Sequence, residues 1–216
     1  MTGKINATRA KLLSAAADSL RGDGLARLSA RVVAARAGVN QALIFYHFGS
    51  VAELVQAASR ETVDASAAFY HDKFAAVTSF NELLALGREL HERERARGNV
   101  AMMAQLMSGA QWDETLAGAA RYAMQRWNEE IEVVVRRVME GNPLADFCDP
   151  AGLARAVSAG FLGLELYEGV DKEGAEAALE ALERLGDLVA VMDDLGPIAR
   201  QAVRAKARSA APGSTA

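Results

Sequence analysis

The residues best suited to meet a polyanion stand at one end of this chain. Lys4, Arg9, Lys11, Arg21, Arg27, Arg31 and Arg36 lie in the first 50 residues against only Asp18 and Asp23, a net of +5. The whole 216-residue chain carries −4, so the remainder holds −9. Phosphate attraction follows the local field rather than the chain average, and a basic segment joined to an acidic body points to a part that faces nucleic acid. Beside those cations stand Asn40, Gln41, Leu43, Tyr46 and His47, groups able to address a duplex.

No comparable grouping supports catalysis. His47, His71 and His91 fall in separate segments, and no H-E-x-x-H, G-x-S-x-G, phosphate-loop or paired-cysteine pattern occurs. Glu129-Glu130 and Asp193-Asp194 are adjacent, so on a helix each pair diverges by about 100° and suits solvent better than shared acid/base work. The expectation is a protein that is not an enzyme, with no metal site and no cofactor. Cys148 is the single cysteine and cannot form an intrachain disulfide; the N-terminus lacks a signal-peptide pattern. The longest apolar stretch, Ala156 to Leu164, stops at Glu165, far short of the roughly 18 residues that span a bilayer. A cytoplasmic chain without a membrane partner is expected.

The elements that must position these groups read as helices throughout. No proline occurs before Pro143, and three- and four-residue apolar spacing fills that interval. Leu13, Ala16, Ala17 and Leu20 mark a helix over 8–22, ended by Gly22 and Gly24. Ser29 caps a short helix to Ala37, and Gly38 supplies the positive φ of a tight turn. A third helix runs from Asn40 to His47. Val33, Ala34, Ala37, Val39, Ile44 and Phe48 are expected to close a small core on the first helix, leaving Arg31, Asn40, Gln41, Leu43, Tyr46 and His47 for DNA. Three short helices with a glycine turn before the last form the helix-turn-helix plan, in which one helix crosses the phosphate backbone and the next enters the major groove.

Downstream, Ser50 with Glu53 and Ser79 with Glu82 have capping-box spacing. Helices are expected from Ser50, over 79–97 and 99–109, and along the stripe from Leu116 to Val138, which Gly141-Asn142-Pro143 ends. Asp149 and Pro150 open another to Gly169. Ala175, Ala178, Leu182, Leu185, Val189 and Met192 form a near-heptad seam broken by Gly196-Pro197, before a basic helix over 200–208. The fold class expected is all-α: a three-helix helix-turn-helix domain over 1–50, a larger helical domain over 51–208, and a disordered tail over 209–216.

Residues 8 to 55, TRAKLLSAAADSLRGDGLARLSARVVAARAGVNQALIFYHFGSVAELV, resemble the DNA-binding domain of TetR-type repressors. The match rests on TRAKLLSAAADSL, the A-x-x-A-G-V turn at Ala34 to Val39, Tyr46-His47-Phe48, and Ser50 to Leu54. The resemblance implies a homodimeric transcriptional regulator, a repressor of a palindromic operator whose body binds a small-molecule effector and dimerises. Carried over, it implies that Ser29 and Asn40 contact phosphates, that Gln41, Ala42 and Leu43 face base edges, and that Tyr46 and His47 reach the backbone. This chain departs from the usual pattern in having Ala42 for glycine, Phe45 for tyrosine and Val51 for lysine. Met103, Met107, Trp112, Tyr122, Trp127 and Phe161 are expected among the effector contacts, because pockets between helices are lined by apolar and aromatic side chains. Core packing is the rival reading of the same set. A helical small-molecule-binding module without sequence-specific DNA binding is the alternative for the chain as a whole.

Overall fold

The structure, a computed structural model, describes residues 2–140, 142, 145, 148–193 and 195–210. Among them the chain is helical and has no strand: α1 (Thr2–Gly22), α2 (Ala30–Ala37), α3 (Ala42–Phe48), α4 (Val51–Ala76), α5 (Phe80–Ala96), α6 (Asn99–Gly109), α7 (Glu114–Val138), α8 (Pro150–Glu168), α9 (Lys172–Asp193) and α10 (Pro197–Ala210). A 3-10 turn at Leu25–Arg27 separates α1 from α2. Gly141 and Pro143 of the expected stop after α7 lie outside the described residues, as does 211–216 of the expected tail.

The helix ends follow their chemistry. The Ser29 hydroxyl accepts from the Val32 N–H at 3.3 Å and starts α2. At its other end Gly38 has φ 65° and ψ 36°, and the N–H groups of Gly38 and Val39 donate to the carbonyls of Ala35 and Ala34. That pairing is a Schellman motif, which satisfies carbonyls left open by the end of the helix. The Glu53 N–H donates to Ser50 Oγ at 3.1 Å, and the Ser50 hydroxyl donates to the Glu53 carboxylate at the same distance. Asp149 Oδ2 accepts from the Gly152 N–H at 2.8 Å, with Pro150 in the first turn of α8. The one marked displacement is the start of α1, which lies six residues before the expected one.

At α5 the cap reaches one residue further back than the Ser79–Glu82 spacing suggests. Glu82 N–H donates to Ser79 Oγ, while the Glu82 carboxylate accepts from the Thr78 N–H at 2.6 Å and the Thr78 hydroxyl at 2.8 Å. The Thr78 N–H, then the hydroxyl, hold this carboxyl below its ordinary pKa. A depressed folded value means that the charged cap stabilises the fold above the unfolded carboxyl's pKa, and that this contribution is lost as pH falls through the folded one. Melting temperatures of Glu82→Gln and the unmodified protein are therefore expected to differ at neutral pH and to converge in acid. A gap that stays constant with pH would show that the charge contributes nothing.

The chain forms two compact units, residues 1–70 with 90–126 and residues 71–89 with 127–216. In the first, Leu12, Leu13 and Ala16 of α1, Val33 and Ala34 of α2, Ile44 of α3, and Leu54 and Ala58 of α4 share one buried core. A second core joins Leu20 of α1 and Val55 of α4 to Met102 and Leu106 of α6 and to Leu116 and Ala119 of α7. Polar contacts run alongside it: Arg21 Nε donates to Asn99 Oδ1 at 2.8 Å, the Leu25 N–H donates to Gln105 Oε1, and Gln105 Nε2 donates to the Leu20 carbonyl at 3.3 Å. Buried Glu94 accepts from the Ser66 hydroxyl at 2.8 Å and from Asn99 Nδ2.

In the second unit Arg137 Nη1 donates to the carbonyls of Phe74, Ala75 and Val77 at 3.3, 3.0 and 2.7 Å. A cation there meets the open carbonyls and the negative pole where α4 ends. Arg88 Nε donates to Glu183 at 2.8 Å across α5 and α9. Gly186 faces α5 there, and a Cβ at that position would lie 2.2 Å from Asn81 Oδ1, so that side chain would have to shift. Of the expected seam, Ala175 is buried while Leu182 and Leu185 are exposed, as are Leu188 and Val191 beside them. The side chains of Val189 and Met192 lie outside the described residues.

Candidate nucleic-acid interface

The head presents α3 by burying one side of it. Ile44 is fully buried, and Leu43 and Phe48 pack partly buried against the same core. Val33, Ala34 and Ile44 take the core positions expected of them, with Ala37, Val39 and Phe48 packed on the cluster's edge. The side turned away carries Gln41, Ala42, Phe45 and Tyr46, all exposed, with Phe45 at 52% and Tyr46 at 72%. Ahead of α3, Asn40 Oδ1 accepts from the Ala42 N–H at 2.8 Å, and the Asn40 carbonyl accepts from the Leu43 N–H at 3.0 Å. Asn40 therefore does the work of a cap, although α3 itself begins at Ala42.

Ser29 and Arg31 lie exposed at the start of α2, so the structure brings the polar ends of both short helices to the surface of the basic head. Leu43 and His47 are half-buried and share the core-facing side of α3. Phe45, which is not among the residues expected to meet DNA, lies on the exposed side. A helical wheel centred on Ile44 finds it, since at 3.6 residues per turn Phe45 falls about 100° from Ile44 and beside Gln41. The cations are not equivalent. Arg36 is held by Ser19 Oγ at 3.1 Å and Asp23 at 2.8 Å, whereas Arg9 lies over the Phe48 ring, 5.2 Å from its centroid.

The six residues expected to touch an effector divide between the units. In the first, Met103 and Met107 are half-buried on α6, and Trp112, in the turn after it, is 92% exposed. Tyr122 on α7 donates its hydroxyl to Asp64 Oδ1 at 2.7 Å, with Arg60 over its ring at 4.7 Å. The bond to Asp64, followed by desolvation, raises the phenol's pKa. In the second unit Trp127 lies 6.4 Å from the Phe74 ring, and Phe161 fills the space beside Gly87. Among the described residues no group of three or more His, Cys, Asp or Glu could hold a metal ion, and no helix is long and apolar enough to cross a membrane.

Residues 12–58 match the family model described as bacterial regulatory proteins, tetR family. No curated protein matches the chain. Solved structures share the fold over most of its length. A TetR-family transcriptional regulator from Rhodococcus sp. is 23% identical, with a TM-score of 0.66 over 84% of this chain and 98% of that one. A transcriptional regulator from Saccharomonospora viridis, solved in complex with choline, is 19% identical, with a TM-score of 0.64 over 83% and 93%. The SmeT–triclosan complex is 25% identical, with a TM-score of 0.58 over 86% and 89%. The head thus matches the tetR family model over residues 12–58 and folds as a helix-turn-helix, and the fold of the chain is shared with these solved structures.

Proposed function

We propose that this DNA-binding regulator is a homodimeric repressor. Its heads, residues 1–50, hold a palindromic operator; its body, 51–208, takes a small apolar or amphipathic effector and forms the dimer. The observation that carries the DNA half is the exposed side of α3, with Gln41, Ala42 and Tyr46 clear of the core inside a segment of net +5. Ser29, Arg31 and Asn40 add polar contacts at its flanks, and Leu43 and His47 the edge of the same helix. Support for an organic effector comes from the choline and triclosan complexes of similarly folded proteins. Met103, Met107, Trp112, Tyr122, Trp127 and Phe161 are the side chains to substitute singly in testing effector response. Support for a second copy comes from apolar side chains left exposed on α8 and α9, Leu166 and Tyr167 on the first and Leu182, Leu185, Leu188 and Val191 on the second.

The mechanism is a two-state one: an effector that binds better to a form with misplaced heads draws the protein off half-sites about 34 Å apart. Within the first unit, α6 is tied to α1 through Leu106 packed with Leu20 and through Gln105 Nε2 donating to the Leu20 carbonyl. Titration of the full chain against DNA upstream of its own gene, at two salt concentrations, tests the reading. Saturable binding with a palindromic footprint is expected, with a steep loss of affinity at the higher salt as phosphate counterions compete. Gln41→Ala should then weaken binding by about tenfold, the value of a good base contact, without change in helix content. Weak binding blind to sequence would leave a helical small-molecule-binding module instead.

A further inference from the structure

We propose that Phe45 is a base-reading residue whose ring takes the 5-methyl group of thymine in the major groove, an inference that rests on α3 being the groove helix. At about 100° per residue, Gln41, Phe45, Ala42 and Tyr46 follow one another in that angular order across an arc of about 140°. The opposite arc holds Leu43, His47, Ile44 and Phe48, which are half-buried or buried. Ala42 stands near the middle of the outward arc and is small, so the helix can approach a groove floor closely there. Phe45 lies between Ala42 and Gln41, away from the arc's edge.

The chemistry of the four side chains differs. Gln41 offers a donor and an acceptor and Tyr46 a hydroxyl, so both can bond to base edges or phosphates. Phe45 can do neither, yet the residue is 52% exposed on the seven-residue helix. An exposed phenyl gains free energy on binding only by burying apolar surface. Phosphates are charged and hydrated and offer none. In the major groove the apolar group presented by a base pair is the thymine methyl, so the partner chemically suited to Phe45 is a T·A pair in each half-site.

The test uses duplexes selected from a random pool by the full-length protein and resynthesised with deoxyuridine replacing thymidine at one symmetric pair of positions at a time. That change removes a methyl and leaves every hydrogen-bonding edge intact. At one pair of positions the substitution is expected to weaken the unmodified protein by about fourfold per half-site, the value of one buried methyl. Phe45→Ala should bind the thymidine and deoxyuridine duplexes alike, and Phe45→Leu, which keeps apolar surface, should retain part of the discrimination. Helix content and melting of both variants should match the unmodified protein, since the ring is not part of the core. The proposal is overturned if no thymine methyl matters, or if Phe45→Ala and Phe45→Leu discriminate as fully as the unmodified chain. Failure to select any sequence at all would instead remove the DNA-binding reading beneath it.

Discussion

Leu106→Ala is expected to lower the stability of the first unit by about 3 to 4 kcal/mol, within the range for emptying a fully buried leucine site. Leu106 has no exposed surface and sits where Leu20, Val55, Met102, Leu116 and Ala119 meet, so four helices lose a shared contact at once. Those helices cannot collapse freely into the void. Gly109 already lies so close to Leu116 and Leu25 that a Cβ there would be 2.7 and 3.1 Å from them. The same substitution is expected to weaken operator binding, because α1 carries the head's core and Leu20 near its end is seated against α6. A coupling of about 0.5 to 2 kcal/mol is the usual scale for a residue that touches neither ligand. Urea unfolding followed by circular dichroism reads the first effect, and operator titration well below the unfolding midpoint reads the second. Full stability with full affinity would mean that α6 carries no load for the head.

That junction is the part of the fold that the sequence does not disclose. The ends of α2 are legible because both are chemically marked, by the Ser29 hydroxyl and by the positive φ of Gly38. Asp149 and Pro150 mark the start of α8 in the same way. By contrast, α1 runs back to Thr2 with no apolar stripe in the sequence to announce it, and Ile5 and Asn6 are exposed. The union of α6 and the first part of α7 with the head depends on pairs about eighty residues apart, Arg21 with Asn99 and Leu25 with Gln105. Each of these residues is ordinary in its own segment, and only packing makes them partners.

The interface divides along the same line. Ser29, Asn40 and Gln41 stand out in the sequence as candidates because capping chemistry and groove chemistry call for the same polar residues at helix starts. Within α3 the run from Leu43 to Phe48 is apolar or aromatic at every position, so residue type cannot separate core from surface. The separation comes from the phase of the helix, fixed by Ile44 seating among Leu12, Val33 and Leu54. That phase turns Phe45 outward and draws Leu43 and His47 partly in. Trp112 shows the reverse limit: its type suits a pocket wall, and its place in the turn after α6 leaves it 92% exposed.

Ala42→Glu is expected to reduce operator affinity by at least about a hundredfold, or about 2.8 kcal/mol, while leaving the head folded. Both halves of this expectation follow from the position of Ala42. It stands near the middle of the outward arc of α3, so a longer side chain there meets the groove before any of its neighbours do. A carboxylate at that point faces a polyanion with no adjacent cation on the arc, and like charges brought together at an interface cost several kcal/mol. Folding is spared because alanine and glutamate are both good helix formers and an acidic side chain is favoured in the first turn of a helix. The bond from the Ala42 N–H to Asn40 Oδ1 uses the backbone and survives the change. Ala42→Gln separates bulk from charge: it should lose about tenfold, and the further loss in Ala42→Glu should shrink as added salt screens the repulsion. Unimpaired binding by Ala42→Glu, with normal melting, would place the DNA on some other surface of the head.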